Sequence, residues 1–124
     1  MGRTLLLIGA GGFIGSIARY LTSIYLTKLF PSAFPYGTFA VNFLGCLIIG
    51  LHFGLSERFT WITVEWRIFI ALGICGGYTT FSTFAYENIK LLQDGNYLVF
   101  GIYSIASFAL CLLAVFLGLT LAKN

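Results

Sequence analysis

Gly73-Ile74-Cys75-Gly76-Gly77-Tyr78-Thr79-Thr80-Phe81-Ser82-Thr83-Phe84 is the stretch on which the fold turns. It lies inside an apolar run from about Trp66 to Lys90. A run of that length suffices to cross a hydrocarbon core of ~30 Å, which needs ~20 residues of helix. Yet it sets a glycine pair, Gly76-Gly77, and four Ser/Thr hydroxyls at mid-membrane depth. Glycine weakens a helix by roughly 1 kcal/mol relative to alanine, so two in succession favour an interruption. Backbone groups freed there are tolerated in a membrane only where protein buries them or they line a polar cavity. Discontinuous helices of this kind hold ion sites in transporters. The plainer alternative is a kinked helix whose hydroxyls bond back to their own carbonyls.

Three further runs flank this one: about Thr4 to Thr27, Tyr36 to Leu55 and Tyr97 to Ala122. Together they predict an all-α membrane protein in which residues 1–124 form a single domain of four transmembrane helices, the third interrupted. The breaks carry suitable chemistry. Pro31 and Pro35 close the first connection, and Glu57, Arg58 and Glu65 mark the second, flanked by Trp61 and Trp66 at the membrane-water boundary. Gln93-Asp94-Gly95-Asn96 is a turn signal. Composition agrees. Of 124 residues 59% are hydrophobic and only 9% charged, against ~25% charged in soluble domains. The net charge of +3 is scattered in single residues, so no nucleic-acid footprint is expected.

With four spans both termini share a side, which carries Arg3, Arg58, Arg67 and Lys123 against Lys28 and Lys90 opposite. So weak a positive-inside bias predicts insertion in both orientations. A signal peptide ending at Ser16-Ile17-Ala18 is disfavoured, because apolar character continues through Leu26. Gly9, Gly12 and Gly15 imitate a dinucleotide loop, but the acid expected ~20 residues on is missing, the first acid being Glu57. Gly11 with Gly15, and Gly12 with Ser16, instead read as small pairs for close helix packing.

Several embedded residues carry chemistry. Arg19 lies well inside the first span, where a cation costs ~2.5–3.5 kcal/mol, and Glu87 is its nearest embedded acid; it either snorkels to an interface or, unpaired, suits a vestibule that attracts anions. Asn42 heads a stripe with Cys46, Gly50 and Gly54 at i+4 steps; its amide can glue helices or donate to a dehydrated anion. Phe81 and Phe84 share a face, either for packing or to offer positive ring edges. Tyr103, Ser107 and Cys111 form a second i+4 stripe on the last span, a polar track or a packing seam. Donors outnumber embedded carboxylates, which favours an anion over a cation or proton relay. Cys46, Cys75 and Cys111 make no metal-ligand spacing and read as small buried hydrophobes. His52, the only histidine, leaves little for a His-based metal site or triad.

Gly11-Gly12-Phe13-Ile14-Gly15 with Arg19-Tyr20, Gly37-Thr38-Phe39-Ala40-Val41-Asn42 and above all Gly76-Gly77-Tyr78-Thr79-Thr80-Phe81-Ser82-Thr83-Phe84 resemble the Fluc (CrcB-type) fluoride channels over essentially the whole chain. The resemblance implies an antiparallel, dual-topology homodimer with two fluoride pores. It also implies a structural Na⁺ at the dimer interface, held by backbone carbonyls of Gly76 and Thr79. By position, Phe81 and Phe84 become the ring pair along the fluoride path and Asn42 its amide. Ser82 and Thr83 supply third-helix hydroxyls, Tyr103 and Ser107 the fourth-helix track, and Arg19 the vestibule. Two departures stand out: Cys111 replaces an expected hydroxyl, and Tyr78 is bulkier than the aliphatic residue expected beside the Na⁺ loop.

The function so implied is passive fluoride export that protects the cytoplasm, from a multi-pass position in the cell membrane, the inner membrane of a bacterium. No nucleotide motif or embedded acid offers energy coupling or catalysis. A proton-coupled small multidrug transporter is the alternative, but it needs a carboxylate in the first span, and none is there. A non-transporting assembly subunit is the other.

Overall fold

The computed structural model describes residues 1–123, and all of its regular structure is helical. α1 (Gly2–Leu29) is followed by α2 (Tyr36–Arg58). The third segment opens with α3 (Val64–Arg67) and widens into π-type turns over Ile68–Cys75. It then continues as α4 (Gly76–Tyr78) and, after a gap, α5 (Ser82–Gln93). α6 (Tyr97–Lys123) completes the chain. α1, α2, the third segment from Val64 to Gln93, and α6 are each long and apolar enough to cross a membrane. Large apolar side chains such as Phe13, Leu98 and Phe116 face outward, as befits a protein whose solvent is lipid.

The ends follow from local chemistry. α1 stops before Pro31, its last N–H bond running from Phe30 to Leu26 O, and α2 restarts at Pro35, whose carbonyl accepts from Phe39. Gly95, at φ 78°, ends α5: its N–H reaches Leu92 O while that of Asn96 reaches Leu91 O. That pair of bonds is a Schellman closure, which needs a left-handed residue. At the far end Arg58 donates to Ala122 O (3.4 Å) and Lys123 pairs with Glu57 (2.9 Å). Both lysine and glutamate are exposed, so the ion pair adds little.

Two seams of parallel helices build the bundle. In one, α1 lies on the third segment: a methyl on Gly11 would sit 2.5 Å from Phe69 O, and one on Gly77 would sit 2.8 Å from Gly12 O. The small pairs of the first span thus pack within the chain, as their spacing suggests. In the other seam α2 lies along α6, the most extensive helix contact in the molecule. Gly50 faces Val115, Gly54 faces Leu119 and Ala122, and Gly118 faces Leu47 and Leu51.

Candidate functional site

Contacts between Gly50 and Val115 and between Gly54 and Leu119 fix the register of α2 and α6. Because the helices are parallel, stepping back one turn on each sets Cys46 against Cys111, then Asn42 against Ser107, then Thr38 against Tyr103. The two i+4 stripes of the sequence are therefore the two sides of one seam. Thr38 and Tyr103 meet at a shared partner: their hydroxyls donate to the two carboxylate oxygens of Glu87, at 3.0 and 2.9 Å.

The third segment enters this seam where its helix lapses. Thr79 is extended (φ −87°, ψ 160°) and α5 begins only at Ser82. Asn42 grips the gap. Its Oδ1 accepts from the Thr80 N–H (2.8 Å) and its Nδ2 donates to the Thr80 carbonyl (3.1 Å). One side-chain amide thus replaces both backbone partners that Thr80 would have had in a helix. The Thr80 hydroxyl in turn accepts from the Thr83 N–H (3.2 Å) at the start of α5. These diversions have a consequence upstream. In a continuous helix the N–H groups of Thr80 and Thr83 would bond to the carbonyls of Gly76 and Thr79, and here both are engaged by side chains instead. Gly45 makes the approach of Thr79 possible, since any side chain there would collide with the Thr79 methyl.

A groove of about 400 Å³ runs beside the gap. Asn42, Gly76, Thr79, Thr80, Phe81, Phe84 and Ser107 line it, with Cys46, Cys75 and Cys111. No lining residue is charged. Ser107 is only 6% exposed and its hydroxyl has no hydrogen-bond partner, and a buried orphan hydroxyl costs about 1–3 kcal/mol. Phe81 and Phe84 meet at a ring-centroid distance of 5.8 Å, tilted by 43°. Phe84 also packs on Tyr103, at 5.0 Å, whereas Phe81 is 78% exposed and projects from the chain.

Among the expected site residues, the structure thus gathers Asn42, Gly76, Thr79, Phe81, Phe84 and Ser107 at one groove. Ser82 and Thr83 are exposed on α5 and do not line it. Tyr103 is fully buried, wedged between Phe84 and Phe34, its hydroxyl committed to Glu87. Arg19 is half-buried on α1, outside the groove lining, and makes no ion pair among the described residues; Glu87 is held by hydroxyls instead. Tyr78 directs its bulk away from the gap, its hydroxyl donating to Thr22 Oγ1 at 3.1 Å. Thr22 passes the chain on to Ala18 O (2.8 Å), so the extra size of Tyr78 fastens α4 to α1. Gly45 is a site residue outside the motifs, Thr38 and Thr80 lie within them without an assigned role, and Glu87 reads from sequence only as the acid nearest Arg19. Thr38 had a signal: it lies one turn before Asn42 on the same stripe.

Residues 6–119 match the family model described as CrcB-like protein, Camphor Resistance (CrcB). A protein of Flavobacterium psychrophilum named fluoride-specific ion channel FluC is 44% identical over 122 residues, covering 98% of each chain. Proteins of the same name from Phocaeicola vulgatus and Campylobacter lari are 44% and 42% identical, covering 98% and 97% of this chain and 99% and 98% of theirs. With four membrane-spanning helices and relatives of this kind, the chain is a multi-pass membrane protein, and it belongs to the CrcB-like family.

Proposed function

We propose that this protein is a fluoride channel, passing the ion down its electrochemical gradient along the groove between α2, the third segment and α6. One observation carries the reading: Asn42 holds the third helix open at Thr80, beside a groove that offers donors and no fixed charge. A pore for a tightly hydrated ion must replace its water with protein dipoles, yet hold it weakly enough to let it leave. The Ser107 hydroxyl, which has no protein partner, and the second N–H of Asn42 supply such dipoles. The edges of Phe81 and Phe84 add positive potential without a formal charge. Tyr103 sets the Phe84 ring from behind, and Ser82 and Thr83 offer hydroxyls where α5 starts. Arg19 on α1 is assigned to draw anions toward the vestibule. Fluoride rather than another anion is supported by the name its relatives bear.

The working unit is an antiparallel homodimer of dual topology with two pores. Its support lies in the groove being open along one chain and in Phe81 standing 78% exposed at its rim; a second copy covers both. A structural Na⁺ at the shared interface fits the same picture. The carbonyls of Gly76 and Thr79 have lost the N–H partners that a helix would give them, and uncommitted carbonyls are suitable ligands for a hard cation. When bound, the ion would add a positive charge beside these oxygens; the opening itself is held by Asn42 and Thr80.

Proteoliposomes loaded with fluoride or chloride and read with ion electrodes test the function. Rapid fluoride efflux without chloride efflux is expected, and well-folded dimers that release neither ion would overturn it. A C-terminal reporter should appear on both faces of the membrane; one confined to the cytoplasm would refute dual topology. Replacing Na⁺ throughout preparation should reduce assembly or flux, and indifference to it would remove the buried cation.

A further inference from the structure

The three cysteines come from three separate segments of the sequence, yet all line the same groove. All three are free thiols. Cys46 and Cys111 occupy matching levels of α2 and α6, one turn before the Gly50–Val115 contact, and the Cys111 thiol has Cys46 as its immediate neighbour. The next level up is Asn42 with Ser107, whose buried hydroxyl also lines the cavity and has no partner. A facing thiol pair, an unmet polar group and an open volume thus coincide in one place.

We propose that Cys46 and Cys111 form a binding site for a soft, two-coordinate divalent cation of the mercury(II) type, and that its occupation plugs the groove. Thiolates select soft ions over hard ones. Among the described residues no three His, Cys, Asp or Glu side chains come together as a metal-binding group, so the four-ligand shell of a structural zinc is not on offer. Two thiols suit an ion content with two ligands. Charge decides between the soft ions. In the divalent case both S–H bonds break heterolytically, two S–metal bonds form, two protons leave to buffer and the product is neutral, with no change of oxidation state. A monovalent ion on two thiolates would leave a negative charge in a groove lined by no Lys or Arg, and burying an unpaired charge is expensive.

The binding step stands apart from the fluoride reading; the plugging rests on it. Mercuric chloride is titrated into the purified dimer, with thiols counted by a colorimetric reagent and bound mercury by elemental analysis. The first equivalent per chain should consume two thiols. Cys46→Ser or Cys111→Ser should each lower affinity by about 100-fold or more, as expected when one of two tethered ligands is lost, while Cys75→Ser leaves the tight site intact. Cys→Ala variants replace any serine variant that fails to elute as a dimer. Thiols lost one at a time, or a tight site that disappears with Cys75 instead, would overturn the pair. Fluoride efflux, scaled to each variant's mercury-free rate, should collapse at one equivalent and return with excess dithiol. Paired binding with undiminished efflux would keep the site and refute the groove as the path; absence of paired binding would refute the site, whatever the efflux.

Discussion

The two parallel seams are built from similar residues and do opposite things. Where α1 meets the third segment, Gly11, Gly12 and Gly15 press backbone on backbone against Gly73, Ile74, Gly77 and Tyr78. Backbone lies directly on backbone there, and the seam is closed. Where α2 meets α6 the glycines occupy only half the length: Gly50 and Gly54 seal one end, and Thr38, Asn42 and Cys46 face Tyr103, Ser107 and Cys111 along the other. A four-residue repeat of small side chains is therefore ambiguous. It closes a seam when the facing stripe is small or apolar, and makes a donor-lined groove when the facing stripe is polar and a helix beside it has been pulled open.

The contrast can be broken most severely on its closed side. Gly15→Leu would drive a side chain into Ile74 O and the Tyr78 N–H, and such overpacking costs about 3 kcal/mol or more against rigid backbone. Loss of the folded species on size-exclusion chromatography is the expected result. Next in size is Asn42→Ala, which strips both backbone partners from Thr80. Each orphaned group is worth about 1–3 kcal/mol, and every ~1.4 kcal/mol shifts the open population tenfold. Fluoride efflux should fall at least that far in protein that elutes as the unmodified protein does. Phe81→Ile or Phe84→Ile should cut efflux with the assembly state unchanged; unchanged efflux in both would remove the ring edges from the path. Gly101→Ala sits at the small end. A methyl there meets nothing within 4 Å, so stability should hold or rise by up to about 1 kcal/mol through helix propensity, with efflux unaltered.

Much of this was legible in the sequence, and the remainder was hidden for a definite reason. Four helices could be read because apolar runs of span length are separated by prolines, charges and a Gln93-Asp94-Gly95-Asn96 turn. Each i+4 stripe was visible too, since periodicity reports which residues share a face. It does not report which face is opposite. That α2 and α6 set Asn42 beside Ser107 depends on the Gly50–Val115 register, a tertiary fact. Asn42 shows the same limit in miniature: helix glue and anion donor were alternatives on paper, whereas the amide has atoms enough to clamp Thr80 and retain a free N–H. Glu87 reads as a counter-ion for Arg19 when charges alone are counted; the hydroxyls of Thr38 and Tyr103 claim it because they lie one level up the same seam.

Ser107→Ala offers the most direct trial, because it separates holding the fold from serving an ion. Its hydroxyl is buried and unpartnered, so deleting it should leave the melting temperature unchanged or slightly raised. Measured on the same preparation, fluoride efflux from proteoliposomes should drop several-fold. Efflux equal to that of the unmodified protein, or efflux and melting temperature falling together, would contradict the assignment of the α2–α6 seam as the path of the ion.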